Sequence, residues 1–152
     1  MDKVSIKKSK IGGKGLFAKR DIKKGEIIGV VKGPIIPDNE DSYKKYGEDH
    51  LHPINYSEAI LNSNFTKYTN HSCNPNCGLK DGIKIVAMKD VKNSEEITID
   101  YDTLEYSWEM VCNCGSPKCR KKIRGYKYLR GGLKRKYKGF ISPHLLKKPQ
   151  SN

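Results

Sequence analysis

The sequence predicts a β-rich α+β domain, and three observations carry that reading. Apolar residues fall in short runs rich in Ile and Val, no stretch holds a helical period for long, and glycine, proline or Asp-Gly pairs interrupt the chain between runs. A chain of 152 residues has room for one domain and an appendage.

The first 24 residues are basic, with nine Lys or Arg, and carry the turn Gly12-Gly13-Lys14-Gly15-Leu16-Phe17. Lys23-Lys24-Gly25 then leads into an apolar run, which predicts a turn at Gly25 and a strand from about Glu26 to Val31. Gly33-Pro34 and Pro37 end it. From Asp38 to Asn64 the pattern weakens into a polar, partly helical insert holding Tyr43, Tyr46 and Tyr56. Asp81-Gly82 marks a tight turn, and Ile83 to Met88 behind it reads as a strand. Glu96 to Tyr101 alternates apolar and polar residues, the pattern of a half-buried strand.

After Tyr106 the chain turns to cysteine, glycine and cations. The expected organisation is a main domain over 1–106 with a variable insert at about 34–64, a cysteine segment over 107–125 and a basic tail over 126–152. The tail contains Gly131-Gly132 and Lys134-Arg135-Lys136-Tyr137-Lys138, and reads as a mobile or partner-ordered arm.

Composition narrows the function classes. No apolar run approaches the roughly 20 residues of a membrane span. Met1 to Lys8 lacks the apolar centre of a signal peptide, so a soluble intracellular protein without membrane contact is expected. Five cysteines, an odd count, argue against a closed set of disulfides and for metal ligands plus a spare. A net charge of +13 indicates contact with polyanions, or else a solvated lysine-rich surface. The charge is segregated: Met110 to Asn152 holds thirteen Lys or Arg and no acid, whereas Glu95 to Glu109 holds six acids and no Lys or Arg.

One stretch packs polar side chains, two thiols and a proline into eight residues: Asn70-His71-Ser72-Cys73-Asn74-Pro75-Asn76-Cys77. Asn residues cap and turn the backbone, Pro75 excludes Asn74 from the helical region, and His and Cys bring metal or ligand chemistry. By itself it also suits a surface turn with incidental cysteines. Further on, Cys112, Cys114 and Cys119 form C-x-C-x4-C, which supplies three thiolates from one short loop. A structural zinc takes four ligands in a tetrahedron, so a fourth must come from elsewhere.

These motifs, together with the glycine turn and Glu95-Glu96-Ile97-Thr98-Ile99-Asp100-Tyr101, resemble in order and spacing the SET-domain protein lysine methyltransferases with a post-SET segment. The match covers roughly residues 10 to 125. It implies a fold of small twisted β-sheets with a pseudoknot-like crossing that brings the Asn70 and Tyr101 segments together. It implies S-adenosylmethionine as cofactor, held by Gly13, Lys14, Gly15 and Leu16 on one side and by Asn70, His71 and Tyr101 on the other. Tyr101 would be the catalytic tyrosine at the methyl-transfer channel. Cys73 would join Cys112, Cys114 and Cys119 around one structural zinc, with Cys77 as the competing residue for that place.

The implied activity is methyl transfer to lysine side chains of a protein substrate, a histone or another basic chromosomal protein. Ile99 stands where some relatives carry Phe or Tyr, and Val31 stands where many carry an aromatic. Tyr106 and Trp108 either line the lysine channel or pack beneath the zinc loop. The acidic run around Tyr101 would steer a cationic peptide, unless it is only a solvated face. The basic tail would make non-specific nucleic-acid contacts. Other readings of the same residues are a non-catalytic zinc module that binds nucleic acid or chromatin, and a degenerate SET domain serving as a scaffold.

Overall fold

The short apolar runs become twelve strands in four small sheets, among residues 2–47 and 50–147, which the computed structural model describes. In chain order they are β1 (Val4–Lys8), β2 (Lys14–Ala18), β3 (Ile27–Val30), β4 (Ile35–Pro37), helix α1 (Glu40–Tyr46), β5 (Leu51–Pro53), β6 (Glu58–Leu61), β7 (Asn70–His71), β8 (Cys77–Lys80), β9 (Lys84–Ala87), β10 (Glu96–Ile99), β11 (Met110–Val111), β12 (Lys122–Ile123) and helix α2 (Gly131–Lys136). The sheets run β1-β2-β10-β7, β3-β9-β8, β4-β6-β5 and β11-β12. No helix among the described residues is long and apolar enough to cross a membrane.

The expected strands from Glu26, Ile83 and Glu96 correspond to β3, β9 and β10. Asp81 and Gly82 connect β8 to β9 with φ of 56° and 76°, the left-handed conformation that tight hairpin loops require. The polar insert holds more strand than expected. Its helix α1 starts on Asn39, whose side chain accepts from the Ser42 N–H at 3.0 Å, and stops at Gly47 with φ 82°.

One pairing positions the site. β7 is only two residues long and runs parallel to β10, with Asn70 opposite Thr98 and His71 opposite Ile99. A parallel pair needs a long connection, and here the chain between supplies the whole β8–β9 hairpin. Beneath the pairing, Leu16, Ile97 and Ile99 of the first sheet pack on Cys77, Leu79, Ile85 and Ala87 of the β3-β9-β8 sheet, with Ile22 and Val91 sealing the edge.

The tail departs from the expected mobile arm. Residues 126–147 fold back as two 3-10 turns around α2, burying Leu129, Tyr137, Ile141 and Leu145 against Met88, Tyr106 and Tyr126. The charge count hid these four apolar positions among the cations. Residues 148–152 of the expected tail, and 48–49 of the insert, lie outside the described residues.

Candidate functional site

The glycine turn is held from below by a carboxylate. Glu96 Oε2 accepts from the Ser9 hydroxyl at 3.0 Å, and Ser9 Oγ accepts from the Ile11 N–H at 2.9 Å. Glu96 Oε1 accepts from Asn70 Nδ2 at 2.7 Å, and that amide also donates to the carbonyls of Lys14 (3.1 Å) and Gly12 (3.3 Å). Asn70 therefore stitches the turn to β7. Gly13 takes φ 46°, which a side chain would resist, and Gly15 lies so close to Glu96 and Asn70 that a Cβ would collide with both.

A cleft of about 900 Å³ runs from this turn past Asn70 and His71 to Tyr101, Trp108 and Met110. Gly12, Gly13 and Lys14 line it, whereas Gly15 and Leu16 stand behind it. Leu16 is fully buried in β2, flanked by Ile6 on β1 and Ile97 on β10, so its backbone serves the sheet. Lys14 and Lys67 place their ammonium groups 5.7 and 5.3 Å from the Tyr68 ring centre, two cation–π contacts at the mouth. Val31 and Ile99 both face the cleft.

Tyr101 begins the 3-10 turn that follows β10. Its hydroxyl donates to the Thr69 carbonyl at 2.9 Å, and its backbone N–H donates to His71 Nδ1 at 3.1 Å. That second bond fixes the tautomer: the proton of neutral His71 sits on Nε2, which points at Cys73 Sγ 3.3 Å away. Burial holds His71 neutral, pulling its pKa down to about 4 although Asp100 nearby opposes this. Both ring nitrogens are thus spent inside the protein, and only the main chain of His71 is left to meet a cofactor. Thr69 also serves the site, and nothing in its sequence context distinguishes it.

The cysteine motifs converge. Cys112 Sγ lies 3.7 Å from Cys73 Sγ and 3.7 Å from Cys119 Sγ. Cys114 Sγ accepts from the Cys73 N–H at 3.5 Å. A zinc tetrahedron with sulfur arms of about 2.3 Å has edges of roughly 3.8 Å, so these separations suit the ion. His71, Cys73, Cys112 and Cys114 bring one ligand atom each within 4.8 Å of one another. His71 Nε2, however, carries the proton and has no lone pair for a metal. Cys119 stands outside that group of four atoms, its thiol donating to the Cys112 carbonyl at 3.4 Å. Cys77 is fully buried in the main core on β8 and belongs to no such group.

The acidic run does not form the expected steering face. Asp100 and Asp102 are buried and clasp Arg120, whose guanidinium donates to Asp100 at 2.8 and 2.6 Å and to Asp102 at 2.9 Å. Glu95 and Glu96 are tied to Asn76 and to the glycine turn, and Glu109 pairs with Lys122 at 2.7 Å. Of the six acids, Glu105 alone lines the cleft. Trp108 lines the cleft, 6.3 Å from the Tyr101 ring, and packs on the cysteine cluster. Tyr106 instead joins the tail's core.

Comparison with known proteins agrees with this geometry. A family model described as "SET domain" matches residues 13–102. Human histone-lysine N-methyltransferase 2B is 31% identical over 137 residues, covering 78% of this chain and 5% of that protein. The Drosophila melanogaster histone-lysine N-methyltransferase trr is 33% identical over 136 residues, covering 78% of this chain and 6% of its own length. Arabidopsis thaliana histone-lysine N-methyltransferase ASHH3 is 30% identical over 128 residues, 73% of this chain and 35% of that one. The chain thus spans little more than a third of these relatives at most. Among solved structures, a humanized mutant of the Chaetomium thermophilum Polycomb Repressive Complex 2 superposes with a TM-score of 0.55 at 28% identity, over 64% of this chain and 14% of that one.

Proposed function

Because the chain belongs to the SET-domain family, we propose that it transfers methyl groups from S-adenosylmethionine to lysine side chains of a protein substrate, a histone or another basic chromosomal protein. One observation carries the reading: a single cleft joins the glycine turn, Asn70 and the Tyr101 segment, which are remote in sequence. The cofactor supplies an electrophilic methyl on a sulfonium. The cleft's part is alignment and exclusion of water, because in-line displacement gains most from a fixed donor and acceptor. Gly12, Gly13, Lys14 and Asn70 line one end, where the Asn70 amide fixes the turn by donating to the Gly12 and Lys14 carbonyls. At the other, the Tyr101 hydroxyl, held by Thr69, would orient the neutral amine so that its lone pair takes the methyl as the S–CH3 bond breaks; the thioether S-adenosylhomocysteine is the leaving group, and the amine's extra proton passes to solvent.

Tyr101→Phe should lower kcat by about 10²-fold, the usual loss for a preorganised polar group at a reacting centre, with S-adenosylmethionine affinity within about twofold. Unchanged turnover on core histones would reject the role. The relatives named histone-lysine N-methyltransferases and the intact Tyr101 support an enzyme over a non-catalytic zinc module or a scaffold.

The same proposal includes one structural zinc on Cys73, Cys112, Cys114 and Cys119, with His71 donating to the Cys73 sulfur. A second contact, with nucleic acid, is favoured by the tail's folded cations. Arg124 and Lys127 flank the Tyr128 ring at 4.9 and 5.5 Å, and no acid follows Glu109. Replacing Lys127, Arg130 and Arg135 by Gln should reduce the salt slope of duplex DNA binding by about two to three units. An unaltered slope would assign these cations to solvent.

A further inference from the structure

Resting on the methyltransferase reading, we propose that Arg120 is a positioning residue: it clamps Tyr101 through the carboxylates on either side and ties the tyrosine's placement to the cysteine segment. Arg120 follows Cys119 directly, and its backbone N–H donates to Cys73 Sγ at 3.3 Å. Its guanidinium donates to both oxygens of Asp100, at 2.8 and 2.6 Å, and to Asp102 Oδ2 at 2.9 Å. Asp100 and Asp102 are 2% and 4% exposed, and the residue between them is Tyr101. One planar cation therefore grips both ends of the tyrosine's backbone.

The remaining contacts show what the clamp does. Asp100 Oδ1 accepts from the Asp102 N–H at 3.1 Å and so caps the turn that carries Tyr101. Asp102 Oδ1 is occupied by the N–H groups of Arg124 (3.0 Å) and Gly125 (2.6 Å), which bind the end of the cysteine segment to the same turn. Without Arg120, two like charges would face each other away from water, and the cheapest relief is for the turn to open towards solvent. A lysine cannot replace the fork, since its point charge reaches one carboxylate at a time. The Ser9–Glu96–Asn70 network that holds the glycine turn makes no hydrogen bond to these groups, which meet the Asn70 segment only at His71, 3.7 Å from Asp100 Oδ1. Arg120 should therefore act on turnover and spare cofactor binding.

The test is Arg120→Lys in the full zinc-loaded chain, read by kcat and KM on core histones, calorimetric affinity for S-adenosylmethionine, zinc content, melting temperature and tryptophan emission. Trp108 is the single tryptophan, lies 6.3 Å from the Tyr101 ring and packs on the cysteine cluster, so at unchanged zinc content its emission reports the tyrosine's placement without any turnover. We expect zinc near one per chain, cofactor affinity within about twofold, kcat reduced at least about tenfold and a shifted Trp108 emission. A kcat within about twofold of wild type, or a lower kcat with unmoved emission, overturns the clamp. So does a loss of kcat that zinc content, melting temperature and cofactor affinity all follow, which would mark Arg120 as a support of the whole fold. Should the lysine variant not fold, Asp102→Asn replaces it and is judged by the same split. A wild-type chain without turnover would refute the methyltransferase reading instead, and the clamp would then stand or fall on emission and zinc content.

Discussion

Gly15 and Gly12 sit three residues apart in one turn and differ in what surrounds them. A methyl at Gly15 would strike the Glu96 carboxylate and come 3.0 Å from Asn70 Nδ2, whereas a methyl at Gly12 meets nothing within 4 Å. Gly15→Ala should therefore cost about 1–3 kcal/mol of stability, the usual range for overpacking, and weaken S-adenosylmethionine about tenfold by displacing Asn70. Gly12→Ala should leave the melting temperature in place; thermal melts and calorimetric titration of both variants check the contrast, and equal losses would defeat it. The need for glycine was visible in the motif, but the reason was not. Glu96 acts through Ser9, 87 residues away, and Asn70, 26 away, so no local window contains the network. Residue type and spacing alone do not separate Cys73 from Cys77; folding sends Cys73 to the cluster and Cys77 to the core.

The cysteine segment shows what an element owes to its ligands. Its hairpin pairs β11 with β12 through two residues each, far short of a sheet that stands alone in water. Its core is Cys112 and Ile123 packed on Cys73 and partly buried Trp108, so the donors are also the packing. Metal binding is then folding of this element. Chelation should release close to one zinc per chain and shift Trp108 emission before the main domain melts. Cys119→Ser should lose that zinc while Cys77→Ser, though destabilised in its core, should keep it; metal analysis of the two variants decides, and the reverse pattern would make Cys77 the ligand. The motif spacing announced this element clearly. The tail was less legible: Leu129, Tyr137, Ile141 and Leu145 keep a four-residue spacing, but Gly131-Gly132, Gly139 and Pro143 break any single helix through them, and the cluster closes only with Met88 and Tyr106 from distant elements beside Tyr126 and Leu133 of the tail.

At the scale of the molecule, burial sets the response to acid. His52, His71 and His144 lie inside the fold, and burial lowers the pKa of each, His71 to about 4. His52 faces the Gly82 carbonyl at 2.7 Å and the His144 ring; Asp38 and the Leu104 backbone oppose the shift at His144 without cancelling it. The folded chain keeps these rings neutral while the unfolded chain protonates them below the ordinary value of about 6.5, so unfolding takes up protons and acid favours it. The histidines' contribution to stability should be level above about pH 7 and fall as pH drops through about 6.5 towards the depressed folded values. The fall should be shallower in His144→Gln, which removes one of the three rings and edges against Tyr56 at 5.5 Å without touching the cysteine cluster. Melting temperatures of both proteins between about pH 7.5 and 5 test this, and parallel curves would exclude His144 as a contributor. The fold thus couples acid sensitivity to the seam between the β4-β6-β5 sheet, which holds His52, and the folded tail, which holds His144, a seam that no stretch of sequence displays because its two histidines stand 92 residues apart.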